Sequence, residues 1–325
     1  DAVAFKAVLA GPDYRGTFLI DDNLLERMEY FRAAAPAHNA IYLTGIQAFR
    51  EAMPGVPLVA AFEPEFHRTM PDCALTYGVP PEWRDRYGIR RYGYHGASHE
   101  YVSERVPRML GVSKEGLRLI SCHLGGSSSM CAIKDGRSID TTMGFSPQSG
   151  LENATRHGEL DAFAVLYIMD KTGWSTEEVR RQLAKTGGLA GMSGIAGGDC
   201  RDLEKAAAEG NDAARLALDV FVYQVRKAIG GFAVAMGGVD AIAFTGGIGE
   251  NSAGLRRQIC SGMELLGMEL DEARNSTGSG DRLVSGDSSR VKLVVLTTNE
   301  ELIVARRAYR LLARAAEPAG HPSAG

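Results

Sequence analysis

The sequence predicts an α/β fold built on mixed sheets, and three observations carry that reading. Short apolar, β-branched runs alternate with amphipathic helical stretches along the chain. The runs are nearly continuous in apolar residues, as expected of strands covered on both faces. One Asp-Gly pair between two strand-like segments marks an antiparallel hairpin, so the sheets combine both strand senses. The strand-like runs are residues 2–9, 56–62, 117–122, 239–245 and 291–297, and the hairpin joins 130–134 to 137–141 through Asp135-Gly136. The helices carry start signals. Asp22 precedes a run with Leu25, Met28 and Phe31 on one face, and Ser175-Thr-Glu-Glu178 reads as a capping box with Trp174 and Val179 as its staple. Asp212 opens a long helical pattern reaching about Met236, and Asn251-Ser252 can cap a helix directly after a glycine loop.

The composition narrows the function class. At 325 residues, 45% hydrophobic and 23% charged, the chain has room for two closely joined domains. A net charge of −4 offers no basic face for nucleic acid. No apolar run approaches the roughly 18 residues of a bilayer span, and the start shows no signal-peptide pattern. Cys73, Cys122, Cys131, Cys200 and Cys260 are scattered without a C-x-x-C pair, so they read as buried structural thiols in a reducing cytoplasm. The sequence opens at Asp1 inside a strand-like run, which reads as a truncated start, and the tail from His321 reads as a frayed end.

Two loops have phosphate-binding character. Cys122-His-Leu-Gly-Gly-Ser-Ser-Ser-Met130 lies between a strand and the hairpin, where glycines let the backbone approach a ligand and amides and hydroxyls can cradle phosphate oxygens. Taken alone, it is equally a Ser/Gly turn. Phe244-Thr-Gly-Gly-Ile-Gly-Glu-Asn-Ser252 ends a buried strand and opens a capped helix, the place where open α/β sheets bind nucleotides. It is not a Walker A loop, since no G-K-[ST] follows. Arg90-Arg-Tyr-Gly-Tyr-His-Gly-Ala-Ser-His99 and Thr155-Arg-His-Gly-Glu159 are polar stretches that could each be a solvated loop.

Together these segments resemble acetate kinase and its propionate relatives. The likeness covers Ala35-Pro-Ala-His-Asn39, Phe66-His-Arg-Thr-Met-Pro71, Arg90 to His99, Asp140-Thr-Thr-Met-Gly-Phe-Ser-Pro147, Phe244 to Ser252 and Thr298-Asn-Glu-Glu-Leu302, in the same order, to about Leu312. The resemblance implies the actin-like fold shared with sugar kinases and heat-shock ATPases: two duplicated lobes, each a mixed sheet flanked by helices. It assigns residues 1–64 plus 303–325 to the first, acceptor-side lobe and 65–302 to the nucleotide-binding lobe. The family's leading Asn-x-Gly-Ser-Ser-Ser-x-Lys hairpin has no counterpart here, in keeping with a truncated start; its pattern echoes residues 125–130. A homodimer in the cytoplasm, ATP as co-substrate and Mg²⁺ (or Mn²⁺) as cofactor are further implications.

The chemistry selects roles within that resemblance. A carboxylate acceptor is already ionised at neutral pH and needs no general base. The obstacle is bringing one anion to another, so positioning, charge neutralisation and Mg²⁺ must do the work. The resemblance gives Arg156 and His95 to the oxygens of the phosphoryl in flight, and Glu63 the place of the catalytic aspartate. It gives His123, Leu124, Gly125, Gly126 and Ser127 to the ATP phosphates. Asp199, Cys200 and Arg201, with Gly247, Ile248, Gly249, Glu250 and Asn251, go to the nucleoside. Glu300 takes the metal, through water. Lys6, Val8, Ala37, Tyr94 and Pro147 would receive the acceptor.

The departures from the family fall mostly on the acceptor side. Lys6 replaces the carboxylate-binding arginine, Leu9 a histidine, Ala37 a leucine, Glu63 the aspartate and Tyr94 a phenylalanine, while Gly126 replaces an asparagine and His157-Gly-Glu replaces Ser-Gly-Asp. The changes at Ala37 and Tyr94 suit a larger or more polar carboxylate than acetate. Two other readings stay open. One is a non-catalytic nucleotide-binding relative. The other is a kinase with a hydroxyl acceptor, for which Glu63 could act as base.

Overall fold

The computed structural model describes residues 1–316, except for the side chains of Pro36, Ala37 and Ala316. Two mixed sheets organise it. The smaller holds β1 (Val3–Ala7), β2 (Thr17–Leu19) and β3 (Leu58–Phe62) in the order β1-β3-β2, with β1 parallel and β2 antiparallel to β3. The larger has six strands: β4 (Arg118–His123), β5 (Ser129–Lys134), β6 (Arg137–Thr141), β7 (Ala241–Thr245), β8 (Arg282–Leu283) and β9 (Lys292–Val295). Their order is β6-β5-β4-β7-β9-β8, with β4, β7 and β9 parallel. The α/β class with mixed sheets is therefore the observed one.

The expected strands form, most of them trimmed at their ends, while β4 runs on to His123 and β5 begins at Ser129. The turn between β5 and β6 places Asp135 at φ +55° and Gly136 at φ +72°, the left-handed pair a type I′ hairpin requires. β2 and β8 are three and two residues long, too short to leave an alternation in the sequence.

Nine of the helices frame the sheets and the site: α1 (Asp22–Tyr30), α2 (Pro36–Ala52), α3 (Gly96–Leu110), α4 (Ala162–Thr172), α5 (Cys200–Ala208), α6 (Asp212–Met236), α7 (Gly246–Asn251), α8 (Ala253–Cys260) and α9 (Glu300–Ala316). Two start signals shift in detail. Asp21, not Asp22, caps α1 by accepting from the Leu24 amide, and the buried stripe is Leu24 and Met28, with Leu25 only half-buried. Ser175 accepts from the Glu178 amide, but the Glu178 carboxylate turns to Arg181 and Gln182, so only half of the capping box forms. Ser252 caps α8 as expected, and α6 spans the long pattern from Asp212 to Met236.

α6 covers one face of the large sheet through Phe221, Val225, Ile229 and Phe232. α3 covers the other through Val102 and Val106 against Leu119, Ile133 and Val294. α9 packs on α3 and on the small sheet, where Ile303 and Val304 meet Ala61 and Ala97. Arg307 of α9 is buried and donates to Glu100 of α3 and to the Phe62 carbonyl at the end of β3. The carboxyl ends of all the parallel strands carry candidate residues: Val8 after β1, Glu63 after β3, Leu124 to Ser127 after β4, Gly246 to Asn251 after β7 and Glu300 after β9. Loops at these ends are where α/β sheets hold ligands.

Candidate active site

The site begins where β3 ends. Glu63 opens a 3-10 helix, Glu63–Thr69, with Pro64 fixing its first turn. Here the start of α3 presses against it: a Cβ on Gly96 would lie 1.9 Å from the Glu63 carbonyl oxygen. Only glycine permits that approach. Directly before it, His95 adopts a left-handed conformation, φ +56°, and aims its ring inward. A non-glycine residue held there stores backbone strain, a feature concentrated at functional sites.

Around Glu63 lies a charged triad. Lys6 Nζ donates to Glu300 Oε2 at 2.5 Å and sits 3.4 Å from Glu63 Oε1. The other Glu63 oxygen is buried without a hydrogen-bond partner among the described residues. Burial works against the Lys6 charge, but Glu63 and Glu300 outweigh it and raise its pKa above the ordinary lysine value. Burial, with Glu300 adding to it against the pull of Lys6, holds the Glu63 pKa above the usual carboxylate range. The Lys6 charge, expected to face an acceptor carboxylate, is thus engaged by two carboxylates of the protein.

Arg156 stands apart from this triad. Its Nη1 donates to the Pro147 carbonyl at 2.8 Å, and no carboxylate pairs with it among the described residues. Its field and that of Lys6 both reach His38 and His95, so all four converge on one region. Burial, then these cations, lowers the His38 pKa to about 4. Burial, reinforced by His123 and His99, drives the His95 pKa well below the usual value. Both histidines are neutral at neutral pH. His38 was not singled out from the sequence, although it lies inside the quoted Ala35 to Asn39 motif. Asn39 brings it in by donating to the carbonyls of Leu9 and Met28, each at 2.8 Å.

The ring of His123 stacks on that of His95, with centroids 4.3 Å apart, and Ser127 Oγ lies 3.1 Å from His95 Nε2. His123 and Ser127 therefore sit directly against His95. Val8 and Tyr94 pack with Leu9, Phe31 and Met143 in one apolar cluster, and Pro147 is buried nearby against Arg156. The Tyr94 hydroxyl donates to the Phe145 carbonyl at 2.6 Å. This corrects the expectation that it adds polarity: it lends an aromatic face, and its hydroxyl holds a loop. The Ala37 side chain lies outside the described part of the structure.

A cleft of about 740 Å³ opens beyond these residues. Gly125, Gly126, Asp199, Cys200, Arg201, Gly247, Ile248 and Asn251 line it. Asp199 caps α5 and pairs with Arg201 at 2.6 Å, which lowers the Asp199 pKa to about 2. Three of the expected residues, Leu124, Gly249 and Glu250, do not line this cleft and brace its loops. Leu124 is buried, and its carbonyl accepts from the amides of Ile248 and Gly249. Glu250 accepts from the Gly246 amide and from Thr297. Gly246 itself is at φ +76°, with a would-be Cβ 2.6 Å from the Leu124 carbonyl oxygen. Glu204 and Ser252, hydrogen-bonded at 2.7 Å, also line the cleft and were not anticipated. The signal was present for Glu204, which falls one helical turn after Arg201.

A hard divalent cation fits the residues present. Glu63 and Glu300 supply oxygen donors, already bridged by a cation, and an unpartnered Glu63 oxygen remains. No group of three or more ligating side chains gathers among the described residues. Mg²⁺ commonly needs only one or two carboxylates beside substrate phosphates and water.

Comparison with known proteins agrees with this geometry. The family model of the acetokinase family matches residues 1–306. Acetate kinase of Geobacillus sp. (strain WCH70) is 46% identical over 311 residues, covering 96% of this chain and 78% of the relative. That of Shouchella clausii is 43% identical with the same coverage. Among solved structures, Porphyromonas gingivalis acetate kinase superposes with a TM-score of 0.87 at 34% identity, covering 96% of this chain and 78% of that one. A propionate kinase from Francisella tularensis does so with a TM-score of 0.87 at 37% identity, over 94% and 78%. The likeness spans both sheets and the cleft, so the chain belongs to the acetokinase family.

Proposed function

We propose that the protein transfers the γ-phosphoryl group of ATP to a short-chain carboxylate, acetate or a close relative, to give an acyl phosphate. The observation that carries this reading is Arg156: a half-buried guanidinium with no carboxylate partner among the described residues, its field reaching the neutral His95, two residues along the chain from Ala154 in the lining of a cleft of nucleotide size. The transferring group carries its charge on three equatorial oxygens, and a planar guanidinium matches them. His95 adds a neutral donor at the same place. The backbone of Gly125 and Gly126 would hold the phosphates, and Asp199, Arg201, Gly247 and Asn251 the nucleoside. Glu300, with Glu63, would hold Mg²⁺, whose chemistry there is neutralisation of the phosphate oxygens. Val8, Tyr94 and Pro147 give the acceptor an apolar seat, which suits a short alkyl chain.

The same reading divides the chain into an acceptor-side lobe, 1–64 with 303–325, of which 317–325, including the tail from His321, lie outside the described residues, and a nucleotide lobe, 65–302. It includes a homodimer. α4 is apolar on every side, yet none of its residues is buried, and Phe163 is 78% exposed. Burying such a face against a second copy accounts for its composition; light scattering should give a dimer, and Leu166→Glu a monomer. A cytoplasmic setting belongs to the reading too: among the described residues all five cysteines are unpaired, although Cys73 is exposed rather than buried as expected, and no helix is long and apolar enough to cross a membrane.

One observation favours a second reading. Glu63 is buried, has a raised pKa and keeps an unpartnered oxygen, the profile of a base for a hydroxyl acceptor. A substrate panel of short carboxylates and polyols, with ATP binding followed by calorimetry, discriminates. Phosphorylation of carboxylates supports the first reading and of polyols the second. Binding without turnover of either leaves a nucleotide-binding protein without transferase activity.

A further inference from the structure

Behind His95 runs a line of buried hydrogen bonds that the reaction above does not use. His95 Nδ1 meets Ser129 Oγ at 2.8 Å. The same oxygen meets His99 Nε2 at 2.9 Å, and His99 Nδ1 meets Ser121 Oγ at 2.8 Å. Ser121, Ser129 and His99 are each 0% exposed. The placement follows from a helix start and a strand pairing. His95 caps the start of α3, and its carbonyl accepts from the His99 amide at 3.0 Å, which holds the two residues together at that end of the helix. Ser121 and His123 are two apart on β4, and Ser129 of β5 pairs with His123, so all three point to the same face of the sheet.

The direction of these bonds can be worked out. Burial, with neighbouring histidines adding to it, pushes both His95 and His99 well below the usual pKa, so each ring carries one N–H. Each serine hydroxyl likewise has one proton to give. Among the described residues, the Ser121 hydroxyl has no partner other than His99 Nδ1. Were His99 to donate at that position, the Ser121 proton would be buried with no acceptor, a cost the opposite polarity avoids. Ser121 therefore donates to His99 Nδ1. His99 then carries its proton on Nε2 and donates to Ser129, and Ser129 donates to His95 Nδ1. The proton of His95 is left on Nε2, the edge that faces Ser127.

We propose that Ser121, His99 and Ser129 form a positioning relay that fixes His95 as the Nε2–H tautomer, so that it always presents a donor to the phosphoryl oxygens. The inference rests on the phosphoryl-transfer reading for what His95 serves, while the tautomer itself can be measured without turnover. The experiment is long-range ¹H–¹⁵N correlation on ¹⁵N-histidine protein at neutral pH, with His95→Gln giving the assignment. Expected are a wild-type His95 wholly in the Nε2–H form and a Ser121→Ala protein in which the Nδ1–H form appears. Turnover of Ser121→Ala should fall by about two- to tenfold, in step with the fraction in the wrong tautomer, with the KM for ATP unchanged. Ser121→Thr, which keeps the hydroxyl, should restore both the spectrum and the rate. A wild-type His95 in the Nδ1–H form overturns the relay even if no variant folds. So does a folded Ser121→Ala protein whose His95 remains wholly Nε2–H. Wild-type protein without transferase activity but with the expected tautomers would sink the phosphoryl-transfer reading and leave the relay standing.

Discussion

Lys6→Met removes the ammonium held between two carboxylates while keeping the length of the side chain. In the structure that nitrogen lies 2.5 Å from Glu300 and 3.4 Å from Glu63. At an effective dielectric of about 20, two unit charges at such distances attract by roughly 4 kcal/mol or more before desolvation. Breaking a fully buried pair costs about 3–5 kcal/mol, because a charge is left without a partner. The Lys6 side chain is 38% exposed, so water screens part of this, and about 1–3 kcal/mol is expected. The sign of the pH dependence follows from Glu63. Its pKa is already raised, and without Lys6 the remaining influences of burial and Glu300 raise it further. As pH falls, native Glu63 takes up a proton before unfolded Glu63 does, and the repulsion between the carboxylates is relieved. The variant's deficit should therefore be largest near pH 8.5 and shrink toward pH 5.5. The wild-type lysine, whose folded-state pKa is raised, contributes in full at both values. Urea unfolding at the two pH values measures this. An equal deficit at both, or none at either, would refute the charge triad as described.

Three other outcomes follow from single positions. Gly96→Ala should lose about 1–3 kcal/mol of stability, because its Cβ must displace the Glu63 carbonyl, whereas Gly247→Ala, with no neighbour within 4 Å, should melt close to wild type; thermal denaturation compares them. Gly126→Asn should leave the melting temperature close to wild type, since a Cβ there meets nothing within 4 Å, and should lower the KM for ATP by adding a donor at the cleft; a raised KM counts against the phosphate assignment. Burial raises the Glu152 pKa to about 7. The native state therefore holds this proton over a range where the unfolded chain has released it, and stability is lost as pH rises from the ordinary glutamate value toward 7. Glu152→Gln should flatten the fall in melting temperature between pH 5 and 8, and an unchanged slope would dismiss this titration.

Features written in local chemistry were legible in the sequence. The Asp135-Gly136 hairpin needs two left-handed residues, Ser252 caps the helix it precedes, and the run from Asp212 to Met236 repeats every turn. The glycine loops at the ends of β4 and β7 were legible as tight turns at strand ends for the same reason, and both border the cleft. What escaped depends on residues far apart in the chain. Lys6 and Glu300 are 294 positions apart, and nothing local to Lys6 reveals that its charge is taken. Arg307 fastens α9 to α3 and β3 across 207 and 245 positions. Tyr94 and Glu250 illustrate a further limit: residue type gave the functional group, but only its partners, the Phe145 carbonyl and the Gly246 amide, disclose that each group holds a loop in place.

The most direct measurement is hydroxylamine trapping of acyl phosphate, run on wild type and Arg156→Ala with ATP, Mg²⁺ and a series of short carboxylates. The account predicts hydroxamate that requires both ATP and the metal in the wild type. It predicts a loss of about 10²–10³-fold in Arg156→Ala, with ATP affinity retained by calorimetry. Wild-type protein that binds ATP yet yields no hydroxamate from any short carboxylate would contradict it, as would near-normal rates without Arg156.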